Sequence, residues 1–368
     1  MHPERAVRES SLIPLLRLRG RARDLGGGHG VRFREDIRRF AEERVELAGE
    51  PHWAGRTLGR ADVMALAEAC VEPHRRYAPQ LMLELEGMAE ATGLGLAELL
   101  LVGGFTDLVD TLYGAPGGPA PAAGDNCTAF LVPAGCCRDG RALFGQTWDM
   151  HESAAEHAVL LQGEPEDAPP FVTFTSKGAV GMIGMNAAGI TVGINNLSGA
   201  DGRIGVSWNF VVRKALRQTR FEDALDCITG ARLAGAHNYL LLDGEGRGAN
   251  IEATATRHAV TPLDGAPLVH TNHCLYESTR AMQRTRDPEA QASSEARLDR
   301  AAALLDRDDN DVPGLMTVTR DPEAICYRGR PPAHVATCGA VIADPAERRF
   351  WAVAGLPSEN DYREITVG

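Results

Sequence analysis

Residues 114–133 read GAPGGPAPAAGDNCTAFLVP and divide the chain. Gly114 to Gly124 holds only Gly, Pro and Ala, which lack the side chains to build a core and read as a linker. Directly after it, Thr128 to Pro133 is a short apolar strand, and Cys127 opens it. Upstream, Ala, Leu and Glu recur at helical spacing from Asp62 to Leu101, with Pro73 and Pro79 as breaks and Thr92-Gly93-Leu94-Gly95 as a turn. Downstream the pattern is that of hairpins. Asp139-Gly140 returns the first strand through Ala142 to Thr147, and Val180 to Asn186 pairs with Gly189 to Asn195. Ser207 to Arg217, Phe221 to Thr229 and Ser294 to Leu305 alternate at helical period. Strands in hairpins, followed by helices, predict α+β layers rather than βαβ units.

Bulk properties narrow the function. The net charge is -12, which argues against binding a polyanion. Arg17, Arg19, Arg21, Arg23, Arg32, Arg34, Arg38 and Arg39 are interrupted by Asp24, Glu35 and Asp36 and read as a solvated surface. No apolar run spans a bilayer, and the first residues lack the hydrophobic core of a secretory signal. Eight scattered cysteines without that signal suggest a reducing cytosol, so a cytoplasmic protein is expected. His270, His273 and Cys274 sit too close on one segment to enclose a metal, so none is expected. Cys136-Cys137 reads as an exposed hairpin tip.

Cys127 carries the chemistry. If the bond after Asn126 were cut, the thiol and its own new α-amine would share one residue. Their ordinary pKa values, about 8.5 and about 8, let the amine take the thiol proton and return it to a leaving amine. Read alone, Cys127 is more often a buried strand cysteine.

Four segments tip that balance: Asn126-Cys127-Thr128-Ala129, Gly145-Gln146-Thr147-Trp148-Asp149, Gly184 to Leu197, and Val269-His270-Thr271-Asn272-His273-Cys274. In order and spacing the chain resembles the acyl-coenzyme A:6-aminopenicillanic-acid acyltransferase family of autoproteolytic cysteine N-terminal-nucleophile hydrolases. The stretch Glu84 to Glu90 is similar to the family's pro-region. The resemblance implies a four-layer αββα sandwich of two antiparallel sheets, with residues 1–126 as a helical segment that becomes a separate, bound chain and 127–368 as the catalytic core. It implies cleavage between Asn126 and Cys127, Cys127 as nucleophile, Asp149 holding its amine, and Asn195 and Asn272 at the oxyanion, with Asn196 replacing Asn195 if the strand slips by one residue. Many relatives carry glycine where Asn126 stands, and the family carries arginine directly after an Ile-Cys pair where this chain has Tyr327. Arg328, one place on, is the candidate anchor for substrate.

The expected activity is hydrolysis or transfer of the acyl group of a small N-acyl molecule through a thioester. A peptidase on short or capped peptides and a binding scaffold that never matures are the alternatives. No cofactor is expected. An acyl-coenzyme A cosubstrate and a homo-oligomer are left open, and neither nucleic acid nor membrane is an expected partner.

Overall fold

The computed structural model describes residues 12–113, 127–329 and 334–368; the linker at 114–124 and Asn126 lie outside these residues. The strands are β1 (Leu15–Gly20), β2 (Thr128–Val132), β3 (Leu143–His151), β4 (Ala158–Pro165), β5 (Phe171–Ser176), β6 (Ile183–Asn186), β7 (Thr191–Leu197), β8 (Ala236–Leu242), β9 (Gly248–Ala253), β10 (His258–Pro262), β11 (Leu268–His270), β12 (Val335–Asp344), β13 (Arg349–Ala354) and β14 (Arg363–Thr366). The helices are α1 (Ala22–Arg32), α2 (Arg34–Ala48), α3 (Pro51–Ala54), α4 (Arg60–Tyr77), α5 (Pro79–Thr92), α6 (Leu96–Tyr113), α7 (Trp208–Ala215), α8 (Phe221–Thr229), α9 (Glu277–Arg280), α10 (Pro288–Leu305) and α11 (Val312–Thr319).

Two sheets form the centre. One runs β1-β4-β5-β6-β7-β8-β9-β10 and the other β11-β2-β3-β12-β13-β14. All pairings are antiparallel except that of β1 with β4. The sheets meet through β2 against β7 and β8, with α7 and α8 on the outer face of the first sheet and α10 and α11 on that of the second. These are the expected four layers, with a helical N-terminal segment beside them. No single helix among the described residues is long and apolar enough to cross a membrane.

The inter-sheet approach is close. A Cβ at Gly193 of β7 would lie 2.3 Å from the Phe144 ring and 2.4 Å from Gln146 Oε1, both on β3. Gln146 fixes this contact: its Nε2 donates to Ile194 O at 2.5 Å and its Oε1 accepts from Ile194 N at 2.9 Å. β6 pairs with β7 only at residues 184–185, so the Ile194 peptide groups lie past the end of that ladder. A side chain from the facing sheet takes the place of the missing strand, as buried peptide groups require.

Three local expectations change. The first third is not all helix: β1 adds an edge strand to the first sheet, and its Arg17 and Arg19 bond Gln162 and Glu164 of β4. Pro73 lies inside α4 without ending it. Cys137 is buried beneath α10 and α11 rather than exposed at a hairpin tip, and burial pushes its thiol up to about 12.

Buried histidines tie the N-terminal helices to the core. His74 of α4 donates from Nδ1 to Cys70 O at 2.7 Å, and its Nε2 accepts from Ser207 N at 2.9 Å. His29 of α1 accepts at Nε2 from Gly178 N at 3.2 Å. Each contact needs a bare ring nitrogen, so each imidazole is neutral, and burial lowers both pKa values to about 4. In the unfolded chain a histidine titrates near 6.5 and so binds protons first as pH falls. The stability of these contacts is therefore present above that value and is lost as pH drops toward about 4. Urea unfolding at pH 7 and pH 5 should differ by about 2 kcal/mol per histidine, and His74→Gln should shrink the difference by about that amount. A His74→Gln difference equal to that of the wild type would show that His74 does not titrate this way.

Candidate functional site

Cys127 is buried immediately before β2 and lines a narrow cavity of about 30 Å³. The cavity lies where the short β6 leaves the ends of β5 and β7 unjoined, so Ser176 and Ile194 both face it. The opposite sheet supplies Trp148 and Met150 of β3, while Phe40 of α2 and Phe105 of α6 close it from the helical segment. The walls thus come from both sides of the 126/127 junction.

The predicted residues converge on this end of the sandwich, with one exception. Asp149 is buried on β3, and the Cys127 thiol lies 3.9 Å from its backbone oxygen. Asn195 and Asn238 stand opposite each other on β7 and β8, and Asn238 Nδ2 donates to Asn195 Oδ1 at 3.2 Å. That bond turns the Asn195 amide around, and its buried Nδ2 has no partner among the described residues. Alternation along β7 puts Asn195 on the same face as Gly193, toward the other sheet. Asn196 therefore points away, opposite His237, and contributes its backbone oxygen, which accepts from Asn272 Nδ2 at 3.0 Å. Arg328 does not join them: it is exposed and pairs with Glu359.

Asn272 sits on a braced turn. Its backbone N donates to Ser294 Oγ at 2.9 Å. Next to it, the His270 ring bonds Thr271 O through Nδ1 at 2.8 Å and Glu252 Oε1 through Nε2 at 2.7 Å. Burial alone would raise the Glu252 pKa, but hydrogen bonds and charge from His270 outweigh it and hold the carboxylate below its ordinary range. Glu252 also accepts from Leu275 N at 2.6 Å and from Thr279, which closes the turn. His273 bonds Ser294 Oγ at 2.8 Å, and burial lowers it to about 4. Both histidines of this segment thus brace the turn that carries Asn272.

Comparison with known proteins identifies a family by sequence. Residues 136–359 match the profile of the family described as "Acyl-coenzyme A:6-aminopenicillanic acid acyl-transferase", a span that includes Asp149, Asn195 and Asn272 and begins after Cys127. The "Acyl-coenzyme A:6-aminopenicillanic-acid-acyltransferase 40 kDa form" of Emericella nidulans is 26% identical over 200 residues, covering 54% of this chain and 52% of the relative. The chain thus matches about half the length of that curated relative. Among solved structures, a mutant form of conjugated bile acid hydrolase from Clostridium perfringens matches at 11% identity with a TM-score of 0.43, covering 66% of this chain and 97% of the other. Penicillin V acylase from Agrobacterium tumefaciens matches at 12% identity and a TM-score of 0.39, covering 65% and 86%.

One residue beside Cys127 escaped the sequence reading. Arg297 of α10 is fully buried and donates to Cys127 O at 2.7 Å, to Thr128 Oγ1 at 3.2 Å and to Asn272 Oδ1 at 3.1 Å. Burial lowers its pKa and Asp149 raises it again, and a guanidinium stays charged throughout. The only hint in the sequence was a charge at a core position of an amphipathic helix. Arg297→Met should remove about 3–5 kcal/mol of unfolding free energy by leaving these acceptors and Asp149 uncompensated, read from urea titrations. A loss below about 1 kcal/mol would mean that the cluster relaxes without it.

Proposed function

The chain belongs to the acyl-coenzyme A:6-aminopenicillanic acid acyl-transferase family, and on that premise we propose that it is a self-cleaving cysteine amidohydrolase with Cys127 as nucleophile. The family makes it an enzyme of acyl transfer or amide hydrolysis. The observation that carries the finer reading is that Cys127 lines the cavity at the start of β2 while Arg297 grips its carbonyl oxygen.

In maturation, Sγ attacks the Asn126 carbonyl, the acyl group moves from nitrogen to sulfur, and the α-amine is released. Water then hydrolyses the thioester, leaving a carboxylate on Asn126 and a thiol on Cys127. Residues 1–126 remain as a separate bound chain. In turnover, the amine takes the thiol proton and Sγ attacks the acyl carbonyl of an N-acyl substrate. Nδ2 of Asn195 and the second hydrogen of Asn272 Nδ2 donate to the oxyanion. The amine protonates the leaving nitrogen, a thioester forms, and water resolves it. Asp149 holds the amine in place. Arg297 fixes the donors without touching the reacting atoms: it faces Asn272 Oδ1 and so turns Nδ2 the other way. Hydrolysis is favoured over transfer because water needs no dedicated second site. An acyl-coenzyme A cosubstrate would make the same thioester from the other direction.

Intact mass under denaturing conditions should show two chains of about 13 and 26 kDa for the wild type and one chain of 39.4 kDa for Cys127→Ala. A wild type that stays uncut after long incubation would defeat self-cleavage. In the matured enzyme, Asn195→Ala should lower kcat on N-acyl amides by about 10²–10³-fold. A loss under about threefold would remove Asn195 from the oxyanion.

A further inference from the structure

Maturation and turnover differ in one requirement. In turnover the Cys127 amine takes the thiol proton, but before the cut that nitrogen is a peptide N–H, a donor only. Self-cleavage therefore needs another base within reach of Cys127. Among the described residues that line the cavity, Cys127, Arg44 and His237 are the ionisable ones. A guanidinium does not accept a proton, so His237 of β8 is left. Asp149 also lies beside the thiol, its backbone oxygen 3.9 Å from Sγ. A carboxylate, however, titrates roughly four and a half pH units below a thiol and an imidazole only about two below it.

His237 is set up as an oriented base. Its Nδ1 lies 3.1 Å from Asp107 Oδ1, and its Nε2 lies 3.3 Å from Thr106 Oγ1. A carboxylate beside Nδ1 favours the hydrogen there and leaves the lone pair at Nε2, toward Thr106, which lines the cavity. Asp107 is itself fixed, because its Oδ2 accepts from Trp208 N at 2.6 Å. The Trp208 ring in turn stacks on the imidazole, with centroids 5.4 Å apart. Asp107 comes from α6, and Arg44 of α2 borders the same cavity. Tyr239, beside the ring on β8, is kept neutral by burial. The strand partners Asn196 of β7 and Ala253 of β9 carry no charge.

A cavity of about 30 Å³ is of a size for one or two waters, and a buried water needs polar partners. Two border this space: the Thr106 hydroxyl and Trp208 Nε1, which is buried and has no partner among the described residues.

We propose that His237, oriented by Asp107, is the base of self-cleavage and takes the Cys127 thiol proton through water in this cavity and the Thr106 hydroxyl. The inference rests on the self-cleavage proposed above. As Sγ bonds to the Asn126 carbonyl carbon, its proton passes to the water, a water proton to Thr106 Oγ1, and the Thr106 proton to Nε2. The imidazolium then returns one proton to the Cys127 nitrogen as the C–N bond breaks. A thioester, a free amine and a neutral imidazole remain. The base belongs to the core and its orienting carboxylate to the helical segment, so the chain cuts only once the two are packed together.

The full chain is made by cell-free synthesis and the cut is followed by intact mass at pH 7 and pH 9. His237→Gln should slow it by about 10²-fold at pH 7. At pH 9, where thiolate forms without help, the deficit should shrink to about tenfold or less. Asp107→Asn keeps an oxygen for Trp208 N but turns an amide N–H toward Nδ1, which moves the imidazole hydrogen to Nε2. It should slow the cut by about tenfold or more at pH 7. A merely structural loss would be equal at both pH values. Such an equal deficit, or either variant folding with the circular dichroism of the wild type and cutting within about threefold of its rate at pH 7, overturns the proposal. A wild type that never cuts defeats the self-cleavage reading itself, whereas one that cuts no faster than the folded variants defeats this inference alone.

Discussion

The structure depends on how the first sheet tolerates a break. β6 is four residues long, so β5 and β7 run past it on either side. An unpaired buried peptide is costly, and a gap in a central sheet would normally be filled by another strand. Here Gln146 fills it from the facing sheet, with both ends of one amide on one residue's backbone. The bond closes the ladder without placing main chain in the gap, and the space left over is the cavity. It also sets the distance between the sheets at the point where Gly193 admits the Phe144 ring. A cavity, a close inter-sheet contact and the placement of Cys127 at its wall thus follow from one side chain.

Around that space the polar groups are oriented by their neighbours rather than by solvent. An amide can flip at almost no intrinsic cost, so only its hydrogen bonds determine which end faces a substrate. Arg297 can only donate, which fixes Asn272 Oδ1 toward it and Nδ2 away. Asn195 Oδ1 is met by Nδ2 of Asn238, so those two amides are oriented together. Donors held in this way need no reorganisation when charge develops, which is the condition for oxyanion stabilisation in a buried site. The ion pair of His270 with Glu252 works one step further out, since it holds the turn on which Asn272 rides.

Much of this was legible in the chain. Hairpin alternation located β2, β3, β6 and β7 within a few residues, and Phe221–Thr229 falls on its predicted bounds. The register of β7, with Asn195 inward and Asn196 outward, followed from period-two alternation once one residue was placed. What stayed hidden depends on partners far away in sequence. β1 is a strand because β4 offers it an edge, not because of its own alternation of Leu and Arg. α1 carries Gly26-Gly27-Gly28, a poor helical sequence, and is a helix because α5 packs so close that a Cβ on Gly26 would lie 1.6 Å from Glu84 O. Arg297 and Arg328 are both single arginines in the sequence; only the fold buries one and exposes the other.

The same dependence bears on the helical segment itself. A segment that merely covered a site would pack on the surface through contacts easily released. This one supplies Phe40, Arg44, Phe105 and Thr106 to the cavity wall and Asp107 to His237. It is held by contacts that water would not replace without cost. Glu84 of α5 meets Arg213 of α7 at 3.0 Å, both buried, with the guanidinium stacked 3.7 Å over the Phe171 ring. Burial raises the Glu84 carboxyl despite that partner, so the pair adds little net stability while joined. Separated, the two charges would be rehydrated at little net cost, and what opposes separation is exposure of the apolar faces of α5 and α6. A cut after residue 126 would therefore relieve no contact between segment and core among the described residues. It would change one thing at the site, turning the Cys127 nitrogen from a peptide N–H into an amine, and the walls around that amine would remain those already built.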